Sequence, residues 1–340
     1  MPAPERRSLV LVGERQSCGT YGSFRRVKRE LGTALLLSAA FASSLWAAEP
    51  YRPPRLEDGR VDLQGVWNLS NLTPLERLPG FDSLVISSEQ ARAIEERIAG
   101  MRRNQPTGAA DEGFDELQIV EPIGGNWHSS VIVEPADGRL PGNPAFHERV
   151  ARVRAGVATA GDGPEERPPP ERCLGSPAST PPMMHVPTLN LHQIVQSRDV
   201  VLIQSEWNRD ARIVRMNSRH NPPALASWLG DSVGRWDGDT LVVETRHFSE
   251  ASALRYTGGV LFLVSPATVV TERFKRTADD ELSYEFAVAD PTWYTTTWQG
   301  RNHLRRSRES IFEFACHEGN YAVRFVLQAL RAREALSTKP

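Results

Sequence analysis

The chain has 340 residues, of which 40% are hydrophobic and 24% are charged, and this composition is typical of a globular protein that can bury a sizeable core. Its formal net charge of -2 argues against a general nucleic-acid-binding protein, because the many arginines are spread along the chain and form no single basic stripe. This length fits one large domain or two smaller ones.

The first 48 residues have the features of an export signal. The basic stretch "RRVKRE", which begins at Arg25, precedes the apolar run "LGTALLLSAAFASSLWAA". This order predicts a secretory signal, with an extended basic region, that is cleaved near Ala47 or Ala48. The alternative is an N-terminal membrane anchor, although the apolar run is short for a span. We therefore predict a periplasmic or secreted protein with no stable membrane span after residues 1–48 are removed.

The cysteines predict one disulfide bond. Removal of the signal also removes Cys18 and leaves Cys173 and Cys316. An even pair of cysteines in an exported protein indicates a structural disulfide. A thiolate nucleophile at Cys316 with His317 as its base is the alternative, but adjacent residues on a strand face opposite ways.

Residues 49–188 are predicted to form an N-terminal extension with the first strands and helices. The stretch "DLQGVWNL" predicts a strand within residues 61–69. Ser87, with Gln90 three residues later, predicts a capped helix, and Pro144 after Asn143 predicts the start of a second helix. The Pro-rich stretches "GDGPEERPPPERC" and "SPASTPPMMHVP" predict a linker that runs over the surface.

Residues 189–332 are predicted to form an antiparallel β-meander followed by a C-terminal helix, in one globular unit with residues 61–188. The predicted strands are "HQIVQ", "VVLIQSEW", "ARIVRM", "GRW", "TLVVETRHF", "TVVTERFKR", "LSYEFAVAD" and "WYTTTW". The pair Asp237-Gly238 between two of them is a strong hairpin signal. The predicted fold class is therefore mainly β, an antiparallel β-barrel or sandwich with a few peripheral helices.

Three of these strands carry an ionisable residue on a face that is mainly apolar. Glu206 falls on the same face as Val200 and Leu202, His247 follows an alternating apolar face, and Glu272 lies between two inward-facing apolar positions. If these faces line one interior, a histidine and two carboxylates converge there and can act as a general acid/base pair.

The alternative is a purely structural role, in which Glu206 and Glu272 pair with arginines such as Arg212 and Arg273 and only stabilise the barrel. Asp231 and His317 are further candidates for proton transfer. Arg212 is also a candidate for neutralising a developing anion. Three aromatic residues are predicted to form cavity walls, unless they are ordinary core residues: Trp236, Tyr294 and Trp298.

Motifs for metals and cofactors are absent from the sequence. It contains no H-E-x-x-H, C-x-x-C or His-x-His motif, no P-loop and no G-x-G-x-x-G fingerprint. We therefore predict no metal and no cofactor, although a metal site made of three scattered residues stays open.

The stretches "WLGDSVGRWDGDTLVVET" and "ACHEGNY", with shorter ones between Val61 and Ala332, resemble a large and mostly uncharacterised family of exported bacterial β-rich proteins. The resemblance implies architecture and export, and it implies no activity. Members of that family often have histidine-containing text where this chain reads "SEWNRDARIVRM", and usually proline before the residue that is Trp298 here. The opening "GVW" is also similar to the start of lipocalin-like barrels.

These observations predict an exported, cofactor-independent acid/base enzyme that acts on a small, mainly apolar molecule as a hydrolase, isomerase or lyase. The alternative is a carrier or sensor without catalysis, which binds a lipophilic ligand or a glycan in the barrel. The expected partner is a small molecule and not a nucleic acid.

Overall fold

The fold is known from a computed structural model that describes residues 51–103, 119–159, 163–164, 167, 169–186, 188–252 and 254–337. These residues fall within one compact unit, Pro50–Pro340. The predicted signal segment, with Cys18, lies outside the described residues.

The described residues form three α-helices and fourteen strands. The helices are α1 (Ser88–Arg103), α2 (Pro144–Thr159) and α3 (Ala322–Ser337). The strands are β1 (Gly65–Asn68), β2 (Val85–Ile86), β3 (Trp127–His128), β4 (Ile132–Glu134), β5 (Leu191–Gln196), β6 (Val200–Ser205), β7 (Ala211–Met216), β8 (Asp231–Asp237), β9 (Thr240–Arg246), β10 (Leu254–Thr257), β11 (Val260–Leu263), β12 (Val269–Ala278), β13 (Glu281–Ala289) and β14 (Trp298–Ser307).

Nine of these strands close into a barrel. Their order is β1-β5-β6-β7-β8-β9-β12-β13-β14, and β14 pairs with β1 to complete the ring, while β4 pairs with the first residues of β14, at Gln299 and Gly300. The predicted mainly β barrel is confirmed. The barrel is mixed, however, because β7 and β8 run parallel, with Val214 opposite Ser232 and Met216 opposite Gly234. The expectation of a purely antiparallel barrel is therefore wrong at this pair.

Alternating side chains fill the barrel lumen. On β13 the fully or nearly fully buried residues are Leu282, Tyr284, Phe286 and Val288, and they alternate with half-buried ones. On β12, Glu272 is buried between Val270 and Phe274, so its predicted inward orientation is confirmed. The hairpin at Asp237-Gly238 is also confirmed, since it joins β8 to β9 through Gly238 and Asp239.

The predicted strand "WYTTTW" is wrong. The backbone N–H groups of Trp293 and Tyr294 both donate to the carbonyl of Asp290, so this stretch is a turn and the strand begins at Trp298. The inward positions of β14 include Gly300 and Asn302 beside apolar residues, which weakens the sequence alternation. Gly300 leaves room for a ring, because a Cβ there would lie 2.1 Å from Cζ of Phe286.

The helix starts follow the predicted capping. The backbone N–H of Ser87 donates to Oε1 of Gln90 at 3.0 Å, and the N–H of Gln90 donates back to Oγ of Ser87 at 3.2 Å, which is a capping box at the start of α1. Asn143 Oδ1 accepts from the N–H of Phe146 at 2.9 Å at the start of α2. Local sequence therefore sets where these helices begin.

The second Pro-rich stretch is not a surface linker. Residues 175–184, here called the inner segment, are all buried. The N–H of Met183 donates at 2.8 Å to the hydroxyl of Tyr284, which faces the lumen. Hydroxyl groups satisfy part of the buried backbone, as Thr180 Oγ1 donates to the carbonyl of Ser176 at 2.7 Å. This side-chain bonding explains why a stretch without regular structure can be buried.

The predicted disulfide between Cys173 and Cys316 is confirmed. Their Cα atoms lie 5.6 Å apart, and 143 positions separate them in sequence. In the chain-entropy model, closing so long a loop stabilises the fold by about 5 kcal/mol. The sulfur of Cys316 is bonded, so it does not serve as a free thiolate nucleophile.

Candidate functional site

The lumen holds a buried ion pair with a tyrosine. Arg212 from β7 donates to both carboxylate oxygens of Glu272 from β12, through Nη1 to Oε2 and through Nη2 to Oε1 at 3.1 Å. Tyr284 from β13 donates its hydroxyl to Oε1 of Glu272 at 2.8 Å. The side chains of Arg212 and Glu272 are 3% and 0% exposed. We call these three residues the lumenal trio.

The lumenal trio contains an arginine–carboxylate pair of the kind that the sequence left open as an alternative to catalysis. Both oxygens of Glu272 are bonded to cationic or hydroxyl donors, and the side chain has no exposed surface. Burial and then the charge of Glu272 raise the pKa of Tyr284 well above its usual value, so this tyrosine stays a donor. Arg212 is likewise engaged with Glu272, which disfavours its predicted role toward a developing anion.

A neutral histidine lies beside the trio. His192 from β5 is fully buried, and its Nδ1 lies 3.0 Å from Oγ of Ser205. Burial, and then the charge of Arg212, lower the pKa of His192 to about 3. This ring is therefore uncharged near neutral pH and belongs to the core.

Glu206 lies outside the lumen, at the end of the β6–β7 hairpin. The buried residues of β6 are Val201, Ile203 and Ser205, so the face that holds Val200 and Leu202 is the outer one, opposite to the prediction. Glu206 follows the strand, and its Oε2 accepts from the N–H of Leu191 at 3.4 Å. Burial raises the pKa of Glu206, that hydrogen bond partly offsets the rise, and Glu309 adds to it.

The three first candidates do not converge. Glu272 is opposite Val243 in the register of β12 and β9, and His247 lies four positions beyond Val243, which is about 13 Å along a strand. Glu206 follows β6 and accepts a hydrogen bond from Leu191 of β5, whereas His247 follows β9, which is three strands along the barrel order from β6. The predicted acid/base group of Glu206, His247 and Glu272 is therefore not formed.

His247 faces the outside of the barrel. Strand β9 ends at Arg246, and His247 adopts a left-handed conformation with φ 58°, so the inward alternation does not extend to it. Its ring lies 5.7 Å from the ring of His220, at 78°. His220 precedes β8 on the return segment that the parallel pairing of β7 and β8 requires.

Two carboxylates hold His220 from both sides. Its Nδ1 lies 2.8 Å from Oδ2 of Asp231, and its Nε2 lies 3.1 Å from Oε1 of Glu244. Asp231 begins β8, and Glu244 is on the outward face of β9. We call His220, Asp231, Glu244 and His247 the outer histidine cluster.

Further donors fix the two carboxylates of this cluster. Nη2 of Arg215 lies 3.0 Å from both oxygens of Asp231. Asn221 donates to Asp231 from its backbone at 2.9 Å and from its side chain at 2.8 Å. Arg246 Nε donates to Oε1 of Glu244 at 2.7 Å.

These contacts keep both carboxylates ionised. Burial raises the pKa of Asp231. The hydrogen bonds from Asn221 and His220 and the charge of Arg215 together lower it by more than burial raises it, so the net pKa is below its usual value. The hydrogen bond from Arg246 lowers the pKa of Glu244, and burial offsets only part of that effect.

The backbone conformation just before Asp231 requires a glycine at position 230. It has φ 71°, and a Cβ there would lie 2.6 Å from Cγ2 of Thr245 and 2.8 Å from the carbonyl oxygen of Arg246. A residue with a side chain would be strained in this conformation and would collide with β9. Glycine therefore lets the chain enter β8 with Asp231 beside His220.

His317 and the three predicted wall residues lie elsewhere. His317 is exposed in the turn that follows Cys316. Tyr294 and Trp298 are buried in the core with ring centroids 6.0 Å apart. Trp236 is half-buried and packs against the same core. None of these four residues contacts the outer histidine cluster in the described part of the chain.

Sequence reasoning named Asp231 and His247, and the structure brings these two together. It missed His220, Glu244 and Arg215. His220 lies in a segment without periodicity, and Glu244 looked like an ordinary outward residue of a strand. The available signal was the polar stretch "SRHN" before two prolines, between strands too far apart for a tight hairpin.

Searches of protein-family models, of curated proteins and of solved structures found no match to this chain. Within the described residues, no helix combines the length and the apolar character needed to cross a membrane.

Proposed function

We propose that the protein is an exported enzyme that transfers protons to and from a small molecule at the outer histidine cluster. The observation that carries this proposal is the placement of His220 between the carboxylates of Asp231 and Glu244, with His247 against its ring. Two histidines and two carboxylates in contact supply the groups that hydrolysis, isomerisation or elimination needs.

Glu244 is the group assigned to accept the substrate proton. Both of its hydrogen bonds, from His220 and from Arg246, involve Oε1. Oε2 therefore has no partner among the described residues and can accept a proton from a substrate or from a water molecule. Its side chain is 34% exposed, so a small molecule can reach it.

The surroundings favour a substrate with a polar reacting end and an apolar remainder. Arg246, with a side chain that is 44% exposed, can stabilise negative charge that develops beside Glu244. Hydrogen bonds attach both ends of the loop of residues 221–227 to the cluster. Asn221 donates to Asp231 at the start of the loop, and the N–H of Ser227 donates to the carbonyl of His247 at its end. Leu225 in this loop is 63% exposed and supplies an apolar surface.

The test is to incubate the purified protein with a metabolite extract of its own host and to follow all compounds by mass spectrometry. We expect wild type to convert at least one compound, and Glu244→Gln to convert it at least about 100-fold more slowly. Glu285→Gln is the matched control, because Glu285 forms a similarly exposed ion pair with Arg301 on the outer face of β13.

Two results would overturn the proposal. Equal conversion by wild type and Glu244→Gln would place the chemistry at another site. A compound that wild type retains without converting, and releases on denaturation, would favour the carrier.

A further inference from the structure

We propose that His220, Asp231 and His247 bind a divalent transition-metal ion on the outer face of the barrel. One ring nitrogen of each histidine and one carboxylate oxygen of Asp231 all lie within 4.8 Å of one another, and the three residues are half-buried. This inference goes beyond the proposed reaction, because metal binding can be measured without any turnover.

Both ring nitrogens of His220 lie against carboxylate oxygens. A neutral imidazole donates from one nitrogen only, yet both nitrogens of His220 lie within 3.1 Å of a carboxylate oxygen. Without an added cation or proton, one of these contacts sets two lone pairs against each other. A metal ion between Nδ1 and Asp231 removes this conflict, because both atoms then become ligands.

The metal also explains the contact with Glu244. With Nδ1 bound to the ion, the Nε2–H of His220 donates to Oε1 of Glu244. A histidine ligand that gives its other N–H to a carboxylate is the usual outer arrangement of protein metal sites. Arg246 holds Glu244 in turn, so the ring of His220 is oriented before the ion arrives.

His247 offers a nitrogen that the protein leaves unused. Its Nδ1 is buried and has no hydrogen-bond partner among the described residues. Its left-handed φ of 58° is unfavourable for a residue with a side chain. Strained backbone of this kind is retained where the surroundings impose it, and here it turns the ring toward His220.

The ligands indicate the class of metal. Two imidazole nitrogens and one carboxylate oxygen suit zinc, iron(II), cobalt(II) and nickel(II) and are a poor set for magnesium or calcium. Three protein ligands leave coordination positions open for water or a substrate. The charges of Arg215 and Arg246 balance those of Asp231 and Glu244, so affinity must come from direct ligation.

The test uses the full chain without an affinity tag, dialysed against a chelator, and measures binding of zinc and of cobalt(II) by calorimetry. We expect one ion per chain, no binding of magnesium, and at least about 100-fold weaker binding for His247→Asn. Glu244→Gln should weaken binding about 10-fold or more, because it removes the outer partner of a ligand. His317→Asn, which alters an exposed histidine away from the cluster, should bind as wild type does.

A second measurement needs no variant and so does not depend on whether a variant folds. Zinc added to wild type labelled with nitrogen-15 in histidine should shift the ring resonances of His220 and His247 and leave that of His317 unchanged. Absence of binding to wild type, or binding that moves other histidines, would overturn the metal site. Metal binding by wild type without conversion of any compound would instead count against the proposed function alone.

Discussion

The lumenal trio and the outer histidine cluster are made of similar groups, and among the described residues each leaves one buried nitrogen without a partner, Nε of Arg212 and Nδ1 of His247. They differ in exposure and in the bonding of their carboxylates. In the trio, both oxygens of Glu272 are taken by Arg212 and Tyr284, and the ion pair is at most 3% exposed. In the cluster, Nδ1 of His247 and Oε2 of Glu244 have no partner among the described residues. The side chains of His220, Asp231 and Glu244, which form the ion pairs of the cluster, are 11–34% exposed.

This difference favours a structural role for the trio and is the basis of the reactive role proposed for the cluster. A buried carboxylate with a full set of donors holds three strands together, and releasing it for chemistry would leave a charge in an apolar lumen. A half-buried side chain with one polar atom that has no partner can bind a substrate or an ion without disrupting the fold. Burial of an ionisable residue is therefore a weaker sign of function than an unused atom within reach of solvent.

The largest expected effect is in the lumenal trio. Glu272→Gln should lower the free energy of unfolding by about 3–5 kcal/mol, because Arg212 is left as an unpaired buried charge. Urea unfolding followed by circular dichroism measures this loss. The control is Arg273→Met, whose exposed pair with Asp237 should matter by less than about 1 kcal/mol. Equal losses for both variants would show that the trio is not buried in solution.

The next effect depends on pH and comes from His192, the neutral neighbour of the trio. Its pKa is about 3 in the folded protein, against 6.5 for an unperturbed histidine. Between these values the unfolded chain binds a proton here and the folded chain does not, so stability falls as pH falls. The slope is up to about 1.4 kcal/mol per pH unit below about pH 6.5.

Unfolding free energies measured at several pH values test this slope. His192→Gln should lose the slope that this residue contributes, whereas His317→Gln, at an exposed position, should keep the wild-type curve. Parallel curves for wild type and His192→Gln would contradict the burial of a neutral ring.

A smaller stability effect is expected in the outer histidine cluster. Asp231→Asn should lower the free energy of unfolding by about 1–2 kcal/mol, because the variant loses charge-assisted bonds in a place that water partly reaches. Asp239→Asn, in an exposed pair with Arg55, is the control and should change little. A loss as large as that of Glu272→Gln would remove the distinction between the two regions.

The smallest stability effect is expected for Glu244→Gln, at less than about 0.5 kcal/mol. The side chain is 34% exposed, and its ion pair with Arg246 is an exposed one. Thermal unfolding followed by circular dichroism checks this value. A clearly unfolded variant would mean that Glu244 has a structural role, and its loss of turnover could then no longer be assigned to proton transfer.

Sequence was a good guide where one local signal sufficed. The reciprocal bonds of Ser87 and Gln90 and the hairpin at Asp237-Gly238 depend on residues within a few positions of one another. The inward position of Glu272 follows from apolar residues on both sides of it. The disulfide followed from the number of cysteines that remain once the predicted export signal is removed.

Sequence failed where both faces of a strand looked alike. Residues 200–203 of β6 are all apolar, so alternation cannot tell which of Val200 and Val201 faces the lumen, and the face assigned to Glu206 was the wrong one. His247 was misplaced because a left-handed residue directly after β9 ends the alternation. No periodic pattern in the sequence predicts a residue in the left-handed conformation at the end of a strand.

The sequence by itself determined the chain's mainly β character, the starts of α1 and α2 and the pairing of the two cysteines, since each depends on short-range patterns or simple counting. Only the tertiary structure decided that β7 and β8 run parallel, and that the segment between them therefore returns across the outside of the barrel. That return sets His220 against Asp231, Glu244 and His247. Contacts of this kind depend on strand order and direction, which alternation within a single strand does not encode.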